Sequence, residues 1–222
     1  MNQSSASGVP DPEYIKRFEL APLPKLHCGN NDCDNGLHCF RFYDKQRRSH
    51  PQGSCNECGA RLVDWERAHS CNLGEANKKF EDMRHEWIRH YYWHVAFDPE
   101  ALRKAQMRGR KKMLEMLRSR IIKGVRELNP FDGRGVRWTG DVINYARHAT
   151  ATCCRRCIAY WHGIPIQTRL TTKQVDYLFA LGARYIVERM PELGDSPDPT
   201  KRKKPSRQRP LASPNKGRKW RP

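Results

Sequence analysis

Residues 148–165 read HATATCCRRCIAYWHGIP, and how this stretch is read decides the fold. Cys153, Cys154 and Cys157 lie between His148 and His162, a density of soft and borderline donors that packing alone explains poorly. Thiolate and neutral imidazole both suit zinc, which needs only four such donors in a tetrahedron. On a helix Cys153 and Cys157 are four residues apart and Cys154 and Cys157 three, so either pair can turn its sulfurs to one ion. His148 and His162 would fold in from flanking turns. The structural alternative is a buried thiol cluster among core aromatics, since free cysteine packs as a small hydrophobe.

A second group of cysteines lies far upstream. HCGNNDCDNGLHCF, from residue 27, supplies Cys28, Cys33 and Cys39, and SCNECGARLVDW, from residue 54, supplies Cys55 and Cys58. The Cys-x-x-Cys-Gly order is that of a zinc knuckle, with Gly59 free to take positive φ. Residues 37–43 and 61–65 read as strands joined through a polar stretch holding Arg47, Arg48 and Pro51, so a zinc ribbon on Cys28, Cys33, Cys55 and Cys58 is expected. Cys39, His38 or His50 could replace one of these ligands. A module of this size builds little apolar core, so its metal would hold the fold rather than perform chemistry. A redox Cys-x-x-Cys pair is disfavoured, because no thioredoxin-like pattern surrounds it.

Downstream the pattern turns helical. Residues 77–95 place Phe80, Met83, Trp87, Tyr91 and Val95 on one stripe. Beside it Glu86, His90 and His94 recur every four residues, a candidate second-tier metal site, although the HExxH order is absent. Asp98 and Pro99 open a helix running toward Leu128, with an interruption expected near Gly109 and an apolar side of Met113, Leu114, Leu117, Ile121, Val125 and Leu128. Its other side is dense in cations, among them Arg108, Arg110, Lys111, Lys112 and Arg118, and reads as phosphate-facing. The Gly-rich loop after Pro130 sets Arg134 and Arg137 beside Trp138, a mix that can touch phosphates and stack on a base. It lacks the phosphate-loop lysine, so nucleotide hydrolysis is not expected. Thr171 to Gln174 is a capping box opening a last helix that Pro191 ends.

Composition points the same way. Across 222 residues, 42 Lys and Arg face 24 Asp and Glu, a net charge of +18 that favours a polyanionic partner, DNA or RNA. Ten of the basic residues lie in 201–222, leaving 32 against 24, or +8, in the first 200. No long apolar run or lipidation motif points to a membrane. Nine cysteines and a first segment without basic and hydrophobic signal regions lead to the expectation of a reducing compartment, the cytoplasm by default. The expected organisation is an N-terminal arm (1–25), a zinc-ribbon-like module (26–72), a helical domain (73–193) and a disordered basic tail (194–222).

At HATATCCRRC, YWHGIP and the helix over 170–191, the chain resembles a bacterial family of uncharacterised domains that carries this signature. CGARLVDWERAH and IRHYYWH resemble its longer members, and the likeness spans roughly 28–193. It implies a shared fold and shared positions for His148, Cys153, Cys154, Cys157 and His162, and brings no activity. The fold class expected is mainly α with a small N-terminal zinc-ribbon-like β element, an α+β chain stabilised by two zinc ions. The function expected is nucleic-acid binding, chiefly through phosphates. The rivals are a metal-dependent hydrolase or nuclease around His148 and Cys157, or around His90 and His94 with Glu86 or Asp141 as base, and a scaffold for an acidic protein. An iron-sulfur cluster on Cys71, Cys153, Cys154 and Cys157 is a further alternative to zinc.

Overall fold

The sequence VINYARHA is apolar or aromatic except at Asn144, Arg147 and His148, which share one helix face at i, i+3 and i+4. In the computed structural model, which describes residues 25–41, 49–128, 132–133 and 136–198, this segment is buried at every position. It is the fifth of seven α-helices among the described residues. α1 spans Trp65–His69, α2 Ala76–Arg84, α3 Trp87–His94, α4 Pro99–Ile121, α5 Val142–Ala149, α6 Arg155–His162 and α7 Thr172–Arg189. α5 packs between α3 and α7, α4 lies across α5 and α7, and α1 docks on α6. Leu117, Ile121, Ile143, Ile158, Leu178 and Ile186 are fully buried where these helices meet. Each contributes about 1.5–3 kcal/mol relative to an exposed side chain.

The capping chemistry holds as the sequence predicts. Asp98 accepts from the Ala101 amide with Pro99 at the first position of α4, and Thr171 and Gln174 form a reciprocal capping box on α7. Arg189, at the end of α7, donates to the carbonyls of Tyr92, Trp93 and Val95, which satisfies the bare C-terminal end of α3.

Three elements differ from the sequence reading. The continuous helix expected over 77–95 is broken between α2 and α3, because Glu86 is extended (φ −89°, ψ 124°) and pairs with His38. The His38 amide donates to the His85 carbonyl at 2.8 Å, and the Trp87 amide to the His38 carbonyl at 2.9 Å. This pairing also corrects the ribbon: no strand forms among the described residues. Leu37 and His38 make only isolated bridges, to Asp32 and Glu86, and the segment before Trp65 ends as the N-cap of α1. Residues 42–48, with Arg47 and Arg48, lie outside the described residues.

The third difference is at the C-terminal end. α4 is interrupted at Gly109 (φ 71°, ψ 167°), and residues 194–198 of the expected tail fill the gap. Arg110 and Lys111 donate their amides to the Gly194 and Asp195 carbonyls, while Asp198 donates to the Gln106 carbonyl. The N-terminal arm before residue 25 and the tail from residue 199 lie outside the described residues. No helix among the described residues is long and apolar enough to cross a membrane.

Candidate metal centres and cationic surface

Two groups of donors converge. In the first, Cys33, His38, Cys55 and Cys58 bring their ligand atoms within 4.8 Å of one another. Cys33 sits in a 3₁₀ turn, Cys33–Asn35, and His38 is held by its pairing at the α2–α3 break. Cys55 and Cys58 flank the knuckle, where the Gly59 amide donates to the Cys55 carbonyl and Gly59 takes φ +75°. The sulfurs of Cys33 and Cys55 are 3.7 Å apart, and Cys58 Sγ is 3.4 Å from His38 Nδ1. A tetrahedron with Zn–S bonds of about 2.3 Å has S···S edges of about 3.8 Å, and edges to a histidine nitrogen slightly shorter, so these separations fit zinc. Burial, then contact with Cys58 and Cys55, pushes the Cys33 thiol up to about 12. Crowded thiols of this kind gain most from an ion that takes their protons' place.

The second group is Cys153, Cys154 and Cys157, again within 4.8 Å of one another. They lie at the turn from α5 into α6. Thr150 Oγ1 donates to the Ala146 carbonyl, Ala151 takes the left-handed conformation (φ 54°), and the Thr152 amide returns to the Arg147 carbonyl. Arg147 braces the turn by donating to the Cys153 carbonyl at 2.9 Å. Cys154 caps α6, its sulfur accepting from the Cys157 amide. Cys28, from the other end of the chain, lies within hydrogen-bonding reach of Cys157.

Contacts with Cys153, Cys154 and Cys28, together with the Arg89 guanidinium, hold the Cys157 thiol well below its ordinary range. Arg89 is fully buried and donates to Cys157 Sγ at 3.2 Å, to the His148 carbonyl and to Glu86 at 2.9 Å. Glu86 in turn accepts from Tyr160 and Trp161 at 2.7 and 2.6 Å.

The structure therefore exchanges partners between the two expected sets. Cys28 lies beside Cys157 rather than with Cys33, and His38 stands where Cys28 was expected. His162 spends both nitrogens elsewhere, Nε2 on the Thr150 carbonyl at 3.1 Å and Nδ1 beside Lys79 and Tyr177. His148 is stacked between Tyr92 and Trp138, its Nε2 on the Arg137 carbonyl, and stands outside the sulfur group; burial pushes its imidazole down to about 3. Cys39 and Cys71 donate to the Cys28 and His162 carbonyls, and His50 bonds the Glu57 carbonyl. Glu86, His90 and His94 do not come together as a ligand set. Glu86 faces Arg89, whereas His90 Nδ1 bonds the Arg84 carbonyl and His94 Nδ1 the His90 carbonyl. Arg89 was missed from the sequence, its one signal being an arginine three residues after an acid on an otherwise aromatic helix.

Many cations of the expected phosphate face are engaged within the protein. Arg108 pairs with Asp141 at 2.8 Å, Lys112 with Glu115 and Arg118 with Asp176, while Arg110 holds the Pro191 carbonyl. Lys111 is exposed, and Arg134 lies outside the described residues. Charge gathers instead around a cavity of about 390 Å³ lined by Lys104, Arg120, Lys123, Arg137 and Arg147 with Asp141 and Asn144.

A family model described as "Domain of unknown function (DUF4186)" matches residues 77–187, half of the chain. The chain belongs to the DUF4186 family. The DUF4186 match begins inside α2 and ends inside α7, so it holds Cys153, Cys154 and Cys157 with Glu86 and Arg89, and the cationic cavity. Cys28 and the whole Cys33 group precede the DUF4186 match, which is narrower than the span suggested by the signature. No solved structure matches the chain.

Proposed function

We propose that this DUF4186 chain is a zinc-ordered, helical nucleic-acid-binding protein that engages phosphates. Zinc would be held by Cys33, His38, Cys55 and Cys58 at one site and by Cys28, Cys153, Cys154 and Cys157 at the other. The donor chemistry and the tetrahedral edge lengths of the first group support this. Four converging protein donors leave no open position for water at the first site, so that ion serves the fold; at the second, three sulfurs converge and Cys28 beside Cys157 would complete the set. Elemental analysis is expected to return about two zinc ions per chain and little iron.

The observation that carries the binding reading is the cavity wall, where Lys123, Arg137 and Arg147 stand beside Asp141, a carboxylate that Arg108 and Arg120 already neutralise, and Lys104, which pairs with Glu100. The contact surface is accordingly the cavity mouth and its surroundings, with the Arg108, Arg110, Lys112 and Arg118 stripe subordinate to it. Phosphate binding of this kind displaces counterions, so affinity falls steeply with salt. The test is fluorescence anisotropy with labelled single-stranded and duplex DNA and RNA across about 50–200 mM salt. Binding that weakens with salt and loses slope in Lys123→Gln and Arg137→Gln is expected. Absence of binding to all four probes, or salt-independent affinity, overturns the reading.

A further inference from the structure

We infer that the cavity between α4, the turn that follows it and α5 is a binding pocket for a terminal phosphate monoester. The inference rests on the phosphate-binding reading above and specifies what the site takes. Its volume, about 390 Å³, has room for one small ligand in a concavity that opens to solvent.

The wall is built for charge. Asp141 is already engaged, Oδ2 shared by Arg108 and Arg120 at 2.8 Å each and Oδ1 accepting from the Ile143 amide at 3.2 Å. Lys104 pairs with Glu100 at the rim. Lys123, Arg137 and Arg147 have no ion-pair partner among the described residues, and Lys123 and Arg137 are exposed at the mouth. Arg147 is buried, and its Nε and one terminal nitrogen are fixed on the Thr152 and Cys153 carbonyls. Its guanidinium lies behind the wall with no carboxylate ion pair, close to Cys153, Cys154 and Asp132.

The backbone is also adapted at this point. Residues Ile122–Arg126 form a π-helical turn, an irregularity that concentrates at functional sites. Gly124 stands on it against Arg147, where a Cβ would come 3.2 Å from the guanidinium. Two exposed cations without an ion-pair partner, Lys123 and Arg137, on one concavity match the two negative charges of a terminal monoester better than the single charge of an internal diester. Such a group is found on a phosphorylated strand end and on a free nucleoside monophosphate.

The experiment compares a 5′-phosphorylated single-stranded oligonucleotide, its 5′-hydroxyl twin and free adenosine monophosphate on the zinc-loaded full chain, with Lys123→Gln and Arg137→Gln as variants. Losing charge-assisted hydrogen bonds predicts that the hydroxyl strand binds about tenfold or more weakly than the phosphorylated one. The two variants should erase that difference while their circular dichroism and zinc content stay unchanged. Preference for the phosphorylated strand supports a nucleic-acid end as the source. Binding of adenosine monophosphate with neither strand bound keeps the pocket but removes the nucleic-acid reading. Equal affinity for both strands, or a preference that survives both substitutions, overturns the pocket and leaves the nucleic-acid reading standing. Binding of none of the three probes overturns both.

Discussion

Arg89 donates to a carboxylate, a carbonyl and a thiol from inside the core. Its planar fork reaches all of them at once, which a lysine cannot do. Arg89→Met should therefore cost about 3–5 kcal/mol in urea unfolding, because Glu86 would stay buried without its counter-charge. Arg89→Lys should recover little of it, and zinc retention against a competing chelator should fall about 10–100-fold as Cys157 loses its donor. Lys79 gives the opposite sign. It is buried against Tyr177 and His162, and burial lowers its pKa from 10.5 to about 8. Between these values the unfolded chain binds a proton that the folded chain has released, so stability rises with pH across that window. Lys79→Met should abolish the rise and stabilise the protein at neutral pH by about 1–3 kcal/mol, read from urea midpoints at about pH 7.5 and 10.5. Neither role was legible from residue type alone. The Cys55 and Cys58 knuckle was, because its geometry is local, whereas the exchange of Cys28 for His38 depends on which way a loop turns. The wide gap between Cys28 and Cys33 was the one hint.

α4 shows how much an element owes to a remote segment. Its cap and apolar side were readable, and so was the interruption, since Gly109 stands alone among strong helix formers. What closes the gap was not readable: residues 194–198 supply the missing hydrogen bonds and occupy the place of a side chain. A Cβ at residue 109 would meet the Asp195 and Ser196 backbone at 2.5 Å, in a conformation that only glycine adopts readily. Gly109→Ala should then destabilise the fold by about 2–4 kcal/mol in chemical denaturation and release the 194–198 segment to limited proteolysis. A stabilised variant, as a helix propensity scale predicts, would show that α4 is continuous in solution. The α2–α3 break was hidden for a different reason. Phe80, Met83, Trp87 and Tyr91 keep helical spacing across it, and the extended Glu86 is imposed by pairing with His38 rather than by a local breaker.

At the scale of the molecule the two donor groups differ in what they tie together. The first joins segments that carry little regular structure, and Cys58 within it is exposed. The second sits at the start of α6 against the buried α5, and Cys28 reaches it from the N-terminal region. Structural zinc in small folds contributes about 10–16 kcal/mol, comparable to the whole net stability of a domain, so losing either ion is consequential. The losses should nevertheless separate. Cys58→Ser should release one zinc and expose the amides around residues 50–60 to hydrogen exchange while α5 and α7 stay protected. Cys154→Ser should release the other and drop protection throughout α5 and α6, because the turn that Arg147 braces is part of the core itself. Cys28→Ser should match the second pattern and His162→Gln should leave both ions in place. Elemental analysis of the four variants beside their exchange maps decides the matter. Loss of the first ion rather than the second in Cys28→Ser would return that cysteine to the Cys33 group and undo the exchange of partners proposed for the two centres.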